Sequence, residues 1–402
     1  MRIQKSTEQL ALWVERHDYK AYDPGDGQMS PLRQLAFGSF FLKRSLTAAV
    51  LRTPFNIRPL MGIQPHTSTK GMGYMAWGYA KLYASAGDTR HAERARFCLD
   101  WLIQHRASGH EHFCWGNHFD FTTRGGTIPA HEPTIVWSSL IGQSFLEAYH
   151  AMGDAKYLEV AASVADWILT LPREQTPSGA CLSYVAFKQS SIHNSNMLGA
   201  ALLAKVGSVT KRAETLAVAK SAMQYSCSRL NNDGSWFYGE DPKYHWIDNF
   251  HTAYNLDSLK RYQESTGDRE YDGQLKTGFD YFKKTFFEID GRSRYYHDRV
   301  FPTDIQCAAQ AVDTLSFFAD VDDQSLALAQ KVAIWTIEHM QDPDGHFYYR
   351  DLDWKMIKTP MLHWGQGTMF KALAHLSSVQ QKKRASAPAE NSHKMNPESV
   401  SN

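Results

Sequence analysis

A helical frame that repeats along the chain is the feature that most limits how this sequence can fold. Each copy has a helix with apolar residues three and four apart, a short turn, and a second amphipathic helix. In three copies the turn is a Gly-Asp dipeptide: WGYAKLYASAGDTRHAERARFCLDWLI, IGQSFLEAYHAMGDAKYLEVAASVADWIL and TAYNLDSLKRYQESTGDREYDGQLKTGFDYFKKTF. Two weaker copies and a final half share the frame: SNMLGAALLAKVGSVTKRAETLAVAKSAMQY, CAAQAVDTLSFFADVDDQSLALAQKVAIWTIEHM and GQGTMFKALAHL.

The spacing of the copies predicts the architecture. The first helices recur about every 55–60 residues, which is typical of stacked helical hairpins. One hairpin cannot bury its apolar stripe alone, so neighbouring hairpins must pack together. With an N-terminal helix the copies make about six units, and we predict an all-α fold, an (α/α)6 toroid. It spans residues 61–379, between an N-terminal helical segment at 1–60 and a disordered polar tail at 380–402.

Aromatic, turn-rich links join each outer helix to the next inner helix. They are FCWGNHFDFTTRGGTIPAHEPT, GACLSYVAFKQSSIHNSN, DGSWFYGEDPKYHWIDN, GRSRYYHDRVFPTD and DGHFYYRDLDWKMIKTPMLHWGQ. Several contain alternating runs that predict short β-hairpins. In a toroid these links all emerge at one end, so we predict a cup there, floored by the N-termini of six inner helices.

Polar side chains occur at every predicted inner-helix start. They are Thr67, Ser68 and Lys70; His131, Glu132 and Thr134; His193, Asn194 and Asn196; Asp248, Asn249 and His251; Asp304 and Gln306; His363 and Gln366. One Ser or Asp is enough to cap a helix, so six sets exceed what capping needs. Helix N-termini also favour an anionic ligand, such as a carboxylate or phosphate. We therefore predict a binding or catalytic site on the floor of the cup.

The acid–base candidates lie near the fourth inner helix. Asp248 and His251 are three residues apart, so they share a helix face, and the carboxylate would hold the histidine tautomer. Plain capping by Asp248 and a structurally satisfied His251 are the alternatives. Glu132 and Asp304 stand in first helical turns, where they would serve either catalysis or compensation of the helix dipole.

Aromatic and arginine side chains in the links are candidates for ligand binding. The aromatic candidates are Trp115, Phe119, Trp236, Tyr238, Tyr295, Tyr296, Tyr348, Tyr349 and Trp364. They would stack on one another or on the faces of a sugar ring. The arginine candidates, which would bind a carboxylate through two hydrogen bonds, are Arg124, Arg294, Arg299 and Arg350.

Composition excludes several function classes. The formal net charge of +1 argues against a nucleic-acid binder that works by bulk charge. Five scattered cysteines without a CxxC pair indicate reduced thiols in a cytosol. The histidines lack a tight metal-ligand spacing, so we expect neither a metal nor another cofactor. We expect no export signal and no spanning helix, and a cytoplasmic protein.

A basic run near the N-terminus leaves two interpretations open. From Gly27 to Gly87 the chain has no acidic residue. Within this run, PLRQLAFGSFFLKRSLTAAVL predicts an amphipathic basic helix. It would lie on an anionic membrane, peripheral to the inner membrane, or beside an acidic polymer. Alternatively it is a packed helix with a basic solvent face.

The segments WGNHFDF, LSYVAF, DGSWFYGEDPKYHWIDNFHTAYNL and FYYRDL resemble the six-hairpin carbohydrate-active superfamily. The chain is most similar to D-glucuronyl C5-epimerase C-terminal-domain-like proteins of bacterial polysaccharide gene clusters, over residues 60 to 378. The superfamily also holds glycoside hydrolases, lyases and sugar 2-epimerases. DGSW resembles the terpene cyclase repeat, but the sequence has no DxDD motif, so a cyclase is a distant alternative.

The resemblance implies an enzyme of polysaccharide biosynthesis or modification that acts on an acidic, uronate-containing glycan. Our first hypothesis is proton abstraction at C5, leading to epimerisation or elimination. His251 or Tyr238 would be the base, Tyr348 or Tyr349 the opposing acid, and Arg350 with Asn249 the carboxylate clamp.

Two other hypotheses stay open. An inverting glycoside hydrolase would use two carboxyls among Glu132, Asp248 and Asp304. A non-catalytic glycan-binding or assembly protein would use the cup without turnover. In every case we expect the floor and links to supply the binding residues, which are Trp115, His131, Asn194, Trp236, Asn249, Arg299, Arg350, His363, Trp364 and Gln366.

Overall fold

The computed structural model describes residues 2–36, 39–53, 55–123 and 126–386. Within them the helices are α1 (Arg2–Arg16), α2 (Phe40–Arg52), α3 (Thr69–Ala86), α4 (Thr89–Gln104), α5 (Ile135–Met152), α6 (Ala155–Thr170), α7 (His193–Thr210), α8 (Ala213–Cys227), α9 (Asn249–Thr266), α10 (Asp272–Thr285), α11 (Ile305–Phe317), α12 (Asp323–Met340) and α13 (Gly367–Ser386). The strands are β1 (Phe121–Thr123), β2 (Gly126–Ile128), β3 (Arg173–Thr176), β4 (Gly179–Leu182), β5 (Thr303–Asp304), β6 (Arg350–Asp351) and β7 (Met356–Ile357).

Six inner helices form a closed ring, as predicted. In ring order they are α3, α5, α7, α9, α11 and α13, and α13 packs back against α3. The outer helices α4, α6, α8, α10 and α12 pack behind them. The ring buries aliphatic and aromatic side chains between inner and outer helices, including Leu99, Phe145 and Leu259. The fold is an (α/α)6 toroid.

The N-terminal helix α1 occupies the sixth outer position. It packs against α12 and α13. The turn after α12 reaches α1 in the way that the turn after α8 reaches α10: a Cβ on Gly345 would lie 2.5 Å from the Gln9 carbonyl oxygen, and one on Gly234 would lie 2.5 Å from that of Thr277. Both glycines have positive φ, 111° and 92°, so the close approach and the backbone conformation together call for glycine. The domain boundary predicted at residue 60 stays a prediction. Helix α1, which precedes that boundary, packs against α12 and α13 of the toroid.

The Gly-Asp turns end one helix and begin the next. Gly87 and Gly153 adopt the left-handed conformation at the C-termini of α3 and α5, where glycine has no Cβ penalty. Asp88 and Asp154 then accept hydrogen bonds from backbone N–H groups in the first turns of α4 and α6. This dipeptide therefore supplies both caps of a tight helical hairpin.

The links form the predicted short strand pairs. Antiparallel pairs form between β1 and β2 and between β3 and β4, and β5, β6 and β7 form a three-stranded sheet. The links lie at the N-terminal end of the inner helices, so this end of the ring becomes the cup.

The structure bears on two predictions, one for the C-terminal tail and one for the basic segment near the N-terminus. The tail was predicted to begin at residue 380, but α13 continues to Ser386; the rest of that segment, 387–402, lies outside the described residues. The basic segment, predicted as one helix over 31–51, forms a 3-10 helix at Pro31–Ala36 and the α-helix α2, with Val50 buried; residues 37–38 lie outside the described residues. None of the described helices is both long and apolar enough to cross a membrane.

Candidate active site

The cup holds a cavity of about 560 Å³. Its floor is formed by the first turns of α3, α5, α7 and α9 and by the segment that leads into α13, and its walls by the links and α2. Such a volume is typical of small-molecule sites. The side chains around it decide which chemistry it supports.

The first polar pair on the cavity is Asp248 with His251. Asp248 caps α9 by accepting the His251 backbone N–H at 3.0 Å through Oδ1. Its Oδ2 accepts from His251 Nδ1 at 2.7 Å and from Trp246 Nε1 at 3.0 Å. An Nδ1 that donates to a carboxylate leaves the lone pair on Nε2. His251 is therefore oriented and tautomerically fixed as a proton acceptor that lines the cavity.

Asp23 and His363 form a second close contact, with a different geometry. His363 Nδ1 lies 2.8 Å from Asp23 Oδ2, with both side chains buried, but its hydrogen-bond partner is Ser68 Oγ, at 3.2 Å. Burial lowers the pKa of His363, although Asp23 opposes the shift. Burial also opposes ionisation of Asp23, but the contact with His363 holds its pKa below the ordinary value. Asp23 and Ser68 therefore hold the His363 ring at the cavity.

Asp23 also builds the start of the sixth inner helix. Its Oδ1 accepts the backbone N–H groups of His363, at 2.9 Å, and Trp364, at 3.3 Å. These residues form a turn of π-helix, 362–366, ahead of α13. The other polar caps in the ring, such as Ser68 and Thr134, come from the residue just before the helix. Here a residue 340 positions away replaces the local cap.

Lys70 is the third ionisable group on the floor. It stands in the first turn of α3, is buried, and has its Nζ 4.7 Å from the Trp137 ring centre. Burial lowers its pKa to about 7, although Asp23 raises it and Lys371 lowers it further. Such an amine is able to hold a charge near an anion or release a proton at neutral pH.

Aromatic rings form most of the wall. Tyr238 stacks on Trp246 with ring centres 4.5 Å apart and lies 4.5 Å from the His251 ring. Burial raises the pKa of Tyr238 well above its ordinary value, so the phenol stays protonated. It is suited to donate a hydrogen bond or a proton, and the assignment of Tyr238 as a base is not supported at neutral pH.

Arg350 carries positive charge to the opposite wall. Its guanidinium lies 2.6 Å from Asp304 Oδ2 through Nη2 and donates from Nε at 2.7 Å. Asp304 Oδ1 accepts from Trp364 Nε1 at 2.8 Å and from the Gln306 backbone at 2.9 Å. Asp304 is fully buried and does not line the cavity, so it fixes Arg350 and Trp364 in place.

A layer of hydrogen bonds closes the floor. Tyr254 lines the cavity, and its hydroxyl bonds that of Tyr74 at 2.8 Å and accepts from Gln306 Nε2 at 2.9 Å. Thr368 in turn donates to Gln306 Oε1 at 3.2 Å. These residues come from four inner helices and separate the cavity from the rest of the ring axis.

The structure brings some of the predicted site residues together on the cavity and leaves others outside it. Those that line the cavity are Asn194, Tyr238, Asp248, His251, Arg350, His363 and Trp364. Those that do not are Trp115, His131, Glu132, Trp236, Asn249, Arg299, Asp304, Tyr348 and Gln366. Arg124, also considered a carboxylate ligand, lies outside the described residues.

Several of the excluded residues have clear structural roles. Trp115 and Trp236 are buried behind the links, where each indole donates to a backbone oxygen of the preceding outer helix, that of Leu102 or Ser226. Tyr348 donates its hydroxyl to Asp342 at 2.8 Å. Arg299 is exposed beside Asp298.

Sequence reasoning missed Asp23 and undervalued Lys70. Asp23 sits in a DPGDG turn that reads as a loop, and nothing local points to His363. Lys70 is one of the predicted helix-start residues, but only the structure shows that its amine is buried at the floor.

Within the described residues, one group has ligand atoms close enough for a metal ion: Asp342, Asp344 and His346, within 4.8 Å of one another. They lie away from the cavity, and their atoms already bond Tyr348, Trp13 and each other. Among the described lining residues the cavity offers one carboxylate, that of Asp248, which is engaged by three donors.

Among solved structures the chain is similar to three sugar enzymes. Cellobiose 2-epimerase from Bacillus thermoamylovorans has a TM-score of 0.61 and 10% identity, covering 79% of this chain and 90% of that one. D-mannose isomerase has a TM-score of 0.61 and 14% identity, covering 78% and 87%. Unsaturated glucuronyl hydrolase specific for heparin has a TM-score of 0.61 and 13% identity, covering 95% and 98%.

These similarities confirm the toroid fold. Because one fold hosts many reactions, they leave the reaction open. No protein-family model matches the chain, and no curated protein matches its sequence. The resemblance to the C5-epimerase-like proteins therefore stays a prediction.

Proposed function

We propose that this protein is a carbohydrate-active enzyme that moves a proton at a sugar carbon next to a carboxyl or carbonyl group. The observation that carries this proposal is the pair of aspartate-oriented histidines, His251 and His363, on one cavity. His251 Nδ1 donates to Asp248, which leaves Nε2 for substrate, and His363 is held at the cavity by Asp23 and Ser68. Histidines held in this way serve as general base and general acid.

The geometry favours proton transfer on two sides of a bound sugar. His251 begins α9 and His363 precedes α13, and α11 lies between these helices in the ring. The imidazoles therefore approach the cavity from different directions. One would remove the proton and the other, or the protonated phenol of Tyr238, would return it, which inverts the carbon when the two act on opposite faces.

We favour C5 of a uronate as the reacting carbon. Removal of that proton builds negative charge on the adjacent carboxylate, which needs nearby cations or hydrogen-bond donors. Among the described lining residues, the cations are Lys70, Lys188 and Arg350 and the acid is Asp248. Arg350 is held by Asp304, which lies off the cavity, and helix N-termini converge on the cavity. Asn194, whose Oδ1 lacks a hydrogen-bond partner among the described residues, is placed to bind a sugar hydroxyl.

Proton transfer at C2 of an aldose is the second candidate. It needs the same base and acid but a neutral substrate, and two of the similar structures are named for epimerisation or isomerisation of neutral sugars. Hydrolysis is less well supported. Glu132 and Asp304 lie off the cavity, so the pair of carboxyls that flanks a glycosidic bond is not found among the described lining residues.

Deuterium exchange distinguishes these possibilities. The protein is incubated in D2O with glucuronate-containing oligosaccharides, with cellobiose and with mannose, and NMR locates the label. We expect deuterium at uronate C5, with the rate reduced about 10²–10⁴-fold in His251→Gln. His193→Gln is the matched control, because this histidine is also bonded to an acid, Glu240, at an inner-helix start but does not line the cavity.

The other outcomes are equally informative. Label at C2 of a neutral sugar would assign the second candidate, and absorbance from an unsaturated uronate would assign elimination. Release of reducing ends without exchange would indicate hydrolysis. Tight binding without exchange or cleavage would contradict an enzymatic role and support a glycan-binding protein.

A further inference from the structure

Helix α2 has two unlike sides. Lys43, Thr47 and Val50, spaced four and three apart, are turned toward the protein. Phe41, Ser45 and Arg52 follow the opposite side and are exposed. Phe41 is 76% exposed, which is unusual for an aromatic side chain in a packed helix.

The chain on either side of α2 exposes further large apolar side chains. Phe55, just after α2, is 67% exposed, and Leu60 is 89% exposed. Leu32 belongs to a 3-10 helix, Pro31–Ala36, that packs against α2, and it too is exposed. We call this set, with Leu42, the α2 apolar surface. Exposed apolar groups gathered in one short region typically mark an interaction site.

The exposed charged side chains on and beside α2 are all basic. Arg33, Arg44 and Arg52 are exposed, and within the described residues no acidic side chain pairs with any of them. The chain has no acidic residue from Gly27 to Gly87 that would neutralise them locally. Apolar side chains set among unpaired arginines are the pattern of helices that lie in the headgroup region of an anionic bilayer.

The inner side of α2 ties this surface to the cavity. Thr47 and Leu51 line the cavity wall. Gln28 donates to Thr47 at 2.7 Å, and Lys43 pairs with Asp120 at 3.2 Å, in the link before β1. The helix is thus held as part of the cup rim, with one side on the cavity and the other on solvent.

We propose that the α2 apolar surface is a docking site for an anionic lipid bilayer. Phe41, Leu42 and Phe55 would insert among the headgroups, and Arg33, Arg44 and Arg52 would contact lipid phosphates. Because the same helix lines the cavity, docking places the mouth of the cup close to the membrane surface. The proposal concerns where the protein sits and does not depend on which reaction the cavity performs.

Vesicle flotation tests the proposal with the full-length protein. We expect the protein to float with phosphatidylglycerol–phosphatidylethanolamine vesicles and to remain in the bottom fraction with phosphatidylcholine vesicles. Added salt should release it from the anionic vesicles. Arg44→Glu should weaken binding at least about five-fold, since each basic residue near an anionic surface contributes about that factor. Phe41→Ser should weaken it about ten-fold.

Matched controls separate docking from general charge or hydrophobicity. Lys5→Glu reverses a charge at an exposed position on α1, and Ile289→Ser removes an apolar side chain that is 92% exposed in the turn after α10. Both should bind vesicles like the unchanged protein, and all four variants should keep its thermal midpoint.

Two results would overturn the proposal. One is an absence of binding to the anionic vesicles, or equal losses in the controls. The other is a concentration-dependent dimer in sedimentation that Phe41→Ser dissociates, since a second copy of the chain would then cover this surface.

Discussion

The two ends of the inner ring both contain an aspartate beside a histidine, in opposite settings. At the cup end, Asp248 with His251 and Asp23 with His363 present imidazoles to a cavity. Further along the axis, Asp313 Oδ1 lies 2.8 Å from His375 Nδ1, and Asp313 Oδ2 lies 2.8 Å from Lys371 Nζ. These three side chains are buried, and none of them lines the cup cavity.

The difference follows from how inner-helix side chains stack. Residues three and four apart point to the same side of a helix, so α9 sends His251, Tyr254 and Asp257 inward at successive depths. The Tyr254 layer seals the cavity, and below it the polar groups must satisfy one another. Under the proposed function, an aspartate–histidine pair is a structural element at one end of the ring and a reactive group at the other, and the difference between them is access to the cavity.

The largest effects should appear when one histidine is substituted at each end of the ring. His251→Gln should reduce the deuterium-exchange rate about 10²–10⁴-fold with little change in stability. His375→Gln should do the reverse: exchange per folded molecule is retained, and the free energy of unfolding falls by about 1–3 kcal/mol as Asp313 loses a buried partner. Exchange rates and urea midpoints are measured on both variants.

The contrast would fail in one clear way. If His375→Gln abolished exchange while the protein kept its native urea midpoint, the buried cluster would take part in the reaction. The cavity would then not define the limits of the active site.

The two buried lysines, Lys371 and Lys70, should differ in their effect on the free energy of unfolding. Lys371 is paired with Asp313, and both side chains are about 2% exposed. Lys371→Met leaves that carboxylate buried with one partner fewer and should cost about 3–5 kcal/mol. Lys70 has no ion pair among the described residues, and burial lowers its pKa to about 7. The buried amine therefore costs stability near neutral pH, and Lys70→Met should raise the free energy of unfolding by at least about 1 kcal/mol.

Urea unfolding of both variants measures the difference. Adding Asp313→Asn to Lys371→Met should recover part of the loss, because the unpaired charge is removed with its partner. Equal losses at the two lysines would contradict the idea that the ends of the ring differ in their electrostatic balance.

Local features of the fold and the site could be read from the sequence. The hairpin frame repeats, and Gly-Asp turns and the Asp248 cap depend on residues within a few positions of one another. For the same reason the three-residue spacing is enough to pair His251 with Asp248. The Asp23–His363 pair has no such local signal, since its members are separated by nearly the whole chain.

The tryptophans show a second limit. Trp115 and Trp236 were predicted to bind substrate, yet they occupy like places in two links and donate to backbone oxygens in the same way. The recurrence of this tryptophan at one position of the repeat indicates a structural role. Trp246 and Trp364 line the cavity and have no such counterpart. This difference becomes visible only when the repeats are aligned on the structure.

The smallest effect concerns Asp257, directly below the sealing layer. Burial raises its pKa, and the charge of Asp313 raises it further. The folded chain therefore binds a proton that the unfolded chain has lost, over the pH range between the ordinary carboxyl pKa and the raised one. Stability from this group is present at low pH and is lost as the pH rises through the folded-state pKa.

Asp257→Asn removes that dependence. The amide keeps the contact with Gln310, whose Nε2 donates to Asp257 Oδ2 at 2.9 Å and whose Oε1 lacks a partner. We expect a gain that is larger at about pH 8.5 than at about pH 5 by about 1–3 kcal/mol, from urea midpoints at both values. Glu159→Gln, at an exposed position on α6, should show neither. A gain that is the same at both pH values would mean that Asp257 is ionised throughout, and that the buried cluster tolerates its charge.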